Sequence, residues 1–291
     1  MLFDGKLFAG QKEEALKKRV EVLRQKGISP KLVSILADDS KESELYISLK
    51  GKFAQRINVI FEVHHFKVGI DPQEITFDIR KANMDDKVCG IMVQLPVDNQ
   101  ERLLTAISSL KDVDCLTAEN LGLIVLGKPR FLPATVKAVL EIIKKAFGLE
   151  TEVEEKWLAG KNVCIVGASI IVGKPLALLL SDAGATVTVC RSTTQDLSEF
   201  TKRADILVSA TGAAELVKKE MIKEGAVVID VGISKLMREG KFRVVGDVTG
   251  DVANKASFLS PVPGGVGPVT VACLFENLLL AADLTNQEPA K

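Results

Sequence analysis

The 291-residue chain has no charge excess of either sign: 38 lysines and arginines face 38 aspartates and glutamates. A protein built to grip nucleic acid carries a basic surplus for the phosphates, so the balance argues against that class. Cysteine is sparse and scattered. Cys89, Cys115, Cys164, Cys190 and Cys273 are odd in number and form no CxxC pair, which argues against a disulfide framework or a zinc site. Histidine is rarer still. His64 and His65 are adjacent, so on a strand they would point to opposite faces, and neither has a serine or acidic partner in a nucleophilic arrangement. No metal is expected, and any proton transfer falls to lysine, tyrosine or a carboxylate. No stretch approaches the roughly 18 uninterrupted apolar residues of a membrane span. The start, MLFDGKLFAGQKEE, lacks the basic opening and apolar run of a secretory signal. A soluble, cytoplasmic chain with no nucleic-acid or membrane partner is expected.

Apolar residues are plentiful. They make up 47% of the sequence, enough for a sizeable core, and the length corresponds to about two domains. Leu16, Val20 and Leu23 sit at helical spacing between Gln11 and Lys26, with Gly27 as a stop. Residues 31–37 read as a strand, Ser43 as the cap of a helix to Arg56, residues 58–68 as a strand, and 88–95 as a buried strand ending at Pro96. A second α/β unit starts near residue 160. Strands at 162–166, 185–190, 205–210 and 226–231 alternate with helices from Pro175, near 197–203 and near 217–223. This is the succession of a doubly wound nucleotide-binding half, with a parallel sheet. Val136, Val139, Leu140 and Ile143 line a helix leaving the first domain, and residues 269–284 form an apolar helix after the second. The expected fold class is therefore α/β with two α/β domains, the second Rossmann-like, and a cleft between them. The expected division is a discontinuous first domain, 1–136 plus 270–291, around a second at 137–269. TEVEEK, at 151–156, reads as a solvated surface segment.

Three stretches are candidates for chemistry. After the 162–166 strand, Gly167, Ser169 and Gly173 form a GxSxxxG turn, one residue longer than the usual GxGxxG. Small residues there let backbone approach a phosphate, and the helix amino terminus adds amide hydrogens and partial positive charge. A tight strand-to-helix corner is the alternative. The next strand ends Cys190-Arg191-Ser192 with no acid to hold ribose hydroxyls, which favours NADP over NAD unless Arg191 is merely a surface cation. PVPGGVGP, at 261–268, combines fixed and permissive backbone, suiting either a ligand border or a rigid connector, and its X-Pro bonds are candidates for the cis form. Tyr46, the only tyrosine, and Lys50 are spaced i, i+4, so a helix puts both on one face. From spacing alone, an exposed lysine beside a half-buried ring is the simpler reading. Gln94 and Pro96 lie at the carboxyl end of a strand, where ligands of open α/β sheets bind. Asp112 and Asp114 in KDVDC are either turn-formers or ligand acceptors.

Taken together and in order, YxxxK, VQLP, KDVD, VGASxxVGxP, VVIDVG and PVPGGVGPVTVA resemble the bifunctional methylenetetrahydrofolate dehydrogenase/methenyltetrahydrofolate cyclohydrolase family, from LFDGK near the start to Asn277. The resemblance implies NADP-dependent oxidation of 5,10-methylenetetrahydrofolate to the 5,10-methenyl cation, then its hydrolysis to 10-formyltetrahydrofolate. It implies that Lys50 is the catalytic lysine that activates water, that Gln94 orients it, that Tyr46 lines the folate pocket, and that Asp114 anchors the pterin. Leu95 and Pro96 would border the folate beside Gln94. Gly167, Ala168, Ser169, Gly173 and Pro175 match the cofactor phosphate turn, Arg191 and Ser192 the 2′-phosphate position, and Ile233 the nicotinamide end. Pro261, Gly264, Gly265 and Thr270 match the closing motif that borders both ligands, with the substrate among them. A homodimer through the nucleotide-binding domain is also implied.

Several positions depart from the family pattern. Cys115 follows KDVD where glycine is usual, so a side chain stands at the turn carrying Asp114. Pro133-Ala134-Thr135-Val136 replaces a proline-cysteine-threonine-proline run. ADDSKESELY is one residue longer than usual and lacks a proline, and Val269 replaces methionine. These changes leave open a chain with dehydrogenase activity alone, and a third possibility is a non-catalytic dinucleotide-binding module.

Overall fold

Three parallel strands and their crossover helices form the first layer of the chain. The computed structural model describes residues 1–149, 154–238 and 240–286. β1 (Lys31–Leu36) lies between β2 (Ile60–His65) and β3 (Gly90–Val93), with Ser34 opposite both Val63 and Met92. Central β1 is covered on both faces and is apolar almost throughout, as buried parallel strands are, whereas edge β2 is largely exposed. β2 is shorter than the expected 58–68 because Asn58, at φ +59°, is left-handed and interrupts the extended run.

Around this sheet run α1 (Gly5–Gln25), α2 (Lys41–Arg56), α3 (Pro72–Met84), α4 (Gln100–Ala106) and α5 (Ala118–Val125). Leu16, Val20 and Leu23 of α1 are buried, as their spacing requires. Ser40, not Ser43, caps α2: its hydroxyl accepts the Ser43 amide at 3.2 Å, and Ser43 is buried inside the first turn. α3 was not foreseen, although Asp71 caps it and Pro72 opens it.

The second sheet has five parallel strands, in the order β10 (Phe258–Ser260), β7 (Val227–Asp230), β6 (Ile206–Ser209), β4 (Asn162–Val166), β5 (Thr186–Cys190). α6 (Ala134–Ala146) precedes it, and β4, α7 (Gly173–Asp182), β5, α8 (Leu197–Thr201), β6 and β7 follow. An antiparallel ribbon, β8 (Ser234–Arg238) with β9 (Lys241–Val245), then leads to β10 and α9 (Val266–Thr285). The chain winds outward from β4 first to β5 and then, on the other side, to β6. The topological switch point therefore lies between the carboxyl ends of β4 and β6.

α7 starts at Gly173 rather than Pro175, which falls within the first turn, where a missing N–H is harmless. The helix expected near 217–223 is only a 3-10 turn, Lys219–Met221. Val217 is instead drawn into extended pairing, donating to Asp247 O at 2.9 Å and accepting from Thr249 N at 2.9 Å. Of the TEVEEK run, residues 151–153 lie outside those described, and Glu154, Glu155 and Lys156 are exposed.

Two compact units result: Met1–Phe8 with Thr135–Thr270, and Ala9–Ala134 with Val271–Lys291. The first eight residues thus belong with the five-stranded sheet, not with the three-stranded one as expected. Phe3 N donates to Leu259 O and Leu259 N to Met1 O, both at 2.9 Å, so the amino terminus extends the sheet beside β10. Among the described residues only α9 is long and apolar enough to cross a membrane, and it is mostly buried within the protein.

Candidate active site

In the three-stranded unit, helix α2 carries Tyr46 and Lys50 one turn apart, and β3 delivers Gln94 at its carboxyl end. The Lys50 ammonium donates to Gln94 Oε1 at 2.8 Å. Gln94 is itself buried, and its Nε2 donates to Leu95 O at 3.0 Å, which turns the amide oxygen toward the lysine. Leu95 is half-buried and joined to the exposed Pro96 by a cis peptide bond. Tyr46 is half-buried, and burial pushes its phenol above the usual range.

The third polar group is Asp114. Burial lowers the Lys50 pKa below the ordinary lysine range, and the charge of Asp114 partly offsets that. Burial likewise pushes Asp114 upward, against the pull of Lys50 and with a smaller push from Asp112. Burial thus drives both members of the pair toward their neutral forms, the direction that makes the amine a better proton acceptor than an exposed lysine.

Of the two aspartates of KDVD, the structure gives one a turn-forming role. Asp112 is the turn-former. Its carboxylate accepts Leu116 N at 3.1 Å, Thr117 N at 2.8 Å and Asn120 Nδ2 at 2.9 Å, tying the turn to the start of α5. The turn lies beside β3, where Ile91 N donates to Lys111 O at 2.7 Å. Gly90 permits this approach, since a Cβ there would meet Val113 Cγ1 at 2.5 Å.

Residues not anticipated as site components hold the turn from outside. Lys111 Nζ donates to Asn83 O and Asp85 O at 2.8 Å each, at the end of α3. Asn277 Nδ2, buried on α9, donates to Val113 O and Leu132 O at 2.8 Å each. Removing Asn277 would strand the buried Val113 carbonyl at a cost of about 1–3 kcal/mol. Such long-range contacts leave no local sequence signal. Cys115 has φ +56°, the conformation a glycine adopts readily, and its thiol donates to Phe131 O at 3.2 Å. The side chain is therefore accommodated within a glycine-type turn, and burial pushes the thiol pKa up.

In the five-stranded unit the candidate surface is mostly backbone. Gly167 follows β4 at φ +116°, and a Cβ there would stand 2.3 Å from Ala210 O, across the switch point. A Cβ on Gly173 would stand 1.9 Å from Gly167 O, so the extra residue in GxSxxxG is taken up in a tight bend that still admits no side chain. Ser169 Oγ accepts Val172 N at 3.1 Å before α7 begins. Ala168 is half-buried, Ser169 is exposed, and Pro175 is buried. Past β5, Arg191 and Ser192 are exposed. Arg191 N donates to Thr194 Oγ1 at 2.9 Å, shaping the turn and leaving the guanidinium in solvent. Ile233 is exposed after β7.

Pro261, Gly264, Gly265 and Thr270 also fall in this unit, so the structure does not group them with Tyr46, Lys50, Gln94 and Asp114. Gly264 O accepts Gly5 N at 2.9 Å, a Cβ on Gly265 would meet Pro261 O at 2.4 Å, and Thr270 Oγ1 donates to Val266 O at 3.2 Å within α9. Val262–Pro263 is cis. His64 lies apart on edge strand β2, bonded to Asp78 and Glu62. Burial alone would lower its pKa, but the two carboxylates hold it up.

Comparisons with known proteins point one way. Residues 3–114 match the tetrahydrofolate dehydrogenase/cyclohydrolase catalytic domain, and residues 133–286 match the NAD(P)-binding domain of that family. A relative from Bacillus licheniformis named "Bifunctional protein FolD" is 42% identical, with 98% of each chain covered. The crystal structure of a bifunctional methylenetetrahydrofolate dehydrogenase/cyclohydrolase from Campylobacter jejuni superimposes with a TM-score of 0.90 at 40% identity, covering 98% of this chain and 99% of the other. A Trypanosoma brucei methylenetetrahydrofolate dehydrogenase-cyclohydrolase, complexed with NADP and an inhibitor, also gives 0.90, at 34% identity and 99% coverage of both chains.

Proposed function

The chain belongs to the tetrahydrofolate dehydrogenase/cyclohydrolase family, and on that premise we propose that it performs two consecutive reactions: NADP-dependent oxidation of 5,10-methylenetetrahydrofolate to the 5,10-methenyl cation, then hydrolysis of that cation to 10-formyltetrahydrofolate. The observation that carries the reading is the Lys50–Gln94 hydrogen bond at 2.8 Å, beside a carboxylate coupled electrostatically to the same amine.

The three-stranded unit, with the latter part of α9, holds the folate. Asp114 accepts the two donors of the pterin edge, the pairing for which a carboxylate is shaped. Tyr46 gives the ligand a flat apolar wall. When water adds to the methenyl carbon a proton must leave, and the Lys50 amine, its pKa lowered by burial, receives it. Gln94 fixes the direction of the amine through its oxygen, because its own NH₂ is committed to Leu95 O. Leu95 and Pro96 continue that wall. Pro261, Gly264, Gly265 and Thr270 are assigned to the border of the substrate on the strength of their motif.

The five-stranded unit fits NADP. Gly167, Ala168, Ser169 and Gly173 form a tight backbone turn, in which a Cβ at either glycine would strike a backbone oxygen, at the amino terminus of α7 where a phosphate would sit, and Pro175 locks that terminus. Arg191 supplies an exposed cation, with Ser192 beside it, at the end of β5 for the 2′-phosphate, and Ile233 borders the nicotinamide end. When bound, the nicotinamide accepts the hydride of the first reaction. The same family premise carries the proposal of a cytoplasmic homodimer formed through this unit, which light scattering on the purified chain would check.

Incubating the protein with methylenetetrahydrofolate and NADP tests the reading. NADPH formation followed by conversion of the methenyl chromophore to formyl product is expected. Methenyl product that accumulates without decay would leave the dehydrogenase alone, and an absence of NADPH would leave only a binding module.

A further inference from the structure

Two carboxylates lie buried in the five-stranded unit, neither of them used by the mechanism above: Asp230, the last residue of β7, and Asp247, just after β9. They interlock through two glycines. A Cβ on Gly246 would lie 1.9 Å from Asp230 Oδ2, and a Cβ on Gly232 would lie 1.9 Å from Asp247 Oδ1. Each aspartate therefore fills the space that the other's neighbouring residue must leave empty. Asp230 accepts Gly232 N at 3.1 Å, Asp247 N at 3.0 Å and Val248 N at 2.9 Å. Asp247 Oδ2 accepts Ser209 Oγ at 2.8 Å, Thr211 N at 2.7 Å and Thr211 Oγ1 at 2.8 Å. Its other oxygen, Oδ1, is buried without a hydrogen-bond partner among the described residues.

Burying Asp230 this way opposes stability, since desolvation pushes its carboxyl up to about 7. Fixing position rather than adding stability is one attested use of buried polar groups kept at such a cost. What it positions follows from the topology. The clasp joins the chain just past β6 (Thr211) to the chain just past β7 (Gly232), both at the carboxyl edge of the sheet. The phosphate turn follows β4 at the switch point, and Arg191 stands past β5 on one side. A dinucleotide whose adenosine 2′-phosphate meets Arg191 runs its other half over β6 and β7, where the clasp lies.

We propose that Asp247, interlocked with Asp230, Gly232 and Gly246, is a positioning residue that sets the loops after β6 and β7 to receive the nicotinamide half of NADP; this rests on the NADP-dependent reading above. The test uses the full chain carrying Asp247→Asn, with Thr211→Val as a second variant in case the first does not fold. Three properties are compared with wild type: hydride transfer, the inhibition constant of 2′,5′-ADP, which reaches only the adenosine half, and hydrolysis of added methenyltetrahydrofolate, which needs no hydride acceptor. A misplacement of the reacting ring by a fraction of an ångström predicts at least about a tenfold loss of kcat/KM for hydride transfer. Binding of 2′,5′-ADP and methenyl hydrolysis stay unchanged. Parallel loss of all three, or unaltered hydride transfer in both variants, overturns the proposal. Wild-type protein that forms no NADPH overturns the underlying reading and this inference with it.

Discussion

In the five-stranded unit the proposed ligand surface is made of backbone: two glycines, a helix terminus and a strand end, drawn mainly from 25 consecutive residues between Gly167 and Arg191. In the three-stranded unit it is made of side chains, Tyr46, Lys50, Gln94 and Asp114, steadied by Asp112 and by Asn277 from the far end of the chain. A backbone cradle depends on what is missing at each position. A side-chain site depends on partners that desolvate, orient and oppose one another. The first is damaged by adding an atom, the second by removing one.

The contrast is sharpest at Lys50. Lys50→Met is expected to reduce methenyl hydrolysis by about 10²–10⁴, the usual share of a positioned acid–base group, with NADP affinity nearly unchanged. Wild-type hydrolysis in that variant would remove the lysine from the mechanism. Gly173→Ala adds one methyl 1.9 Å from Gly167 O, and overpacking of this kind costs about 1–3 kcal/mol. Thermal unfolding should register that loss, and an NADP titration should show binding abolished while hydrolysis of added methenyltetrahydrofolate persists at a temperature where the variant is folded. Intact NADP binding would place the cradle elsewhere.

Arg191→Ala should weaken NADP by about 1.5–3 kcal/mol, as for a hydrogen bond to a charged group, and NAD scarcely at all. Equal weakening of both would show that Arg191 does not read the 2′-phosphate. Cys115→Gly should do least. It relieves about 1–2 kcal/mol of left-handed strain while giving up buried packing, so calorimetry should find little net change in stability and assays little change in hydrolysis. A large loss of activity there would mean that the thiol does more than hold the turn.

The same contrast explains what could be read beforehand. The parallel strands were legible because buried strands are apolar runs bounded by turns, and β4 to β7 lie within a residue of expectation. The glycine turn was legible because it is local. Lys50 and Tyr46 were not, for their spacing alone suits any exposed helix, and only the wider motif set raised them. Ser43 resembled a cap because the true cap, Ser40, lies just upstream in a polar run rich in alternatives. Residues 217–223 had helical composition, but pairing of Val217 with Asp247 and Thr249, some thirty residues on, overrode it. Asn277 and Lys111 act only through distant carbonyls, which no local pattern announces.

The proposed hydrolytic step rests on the ionisation of Lys50, and its direct titration by NMR at Nζ tests that most closely. The midpoint should lie below the ordinary 10.5, and the hydrolysis rate should rise with pH through the same midpoint as the neutral amine appears. Unfolding returns the amine to its ordinary proton affinity, so between the two values the unfolded chain binds more protons and wild-type stability should rise with pH, a rise that Lys50→Met should reduce to what the buried Lys111 still contributes. A midpoint at or above 10.5, with hydrolysis indifferent to it, would contradict a proton-accepting role for the buried amine.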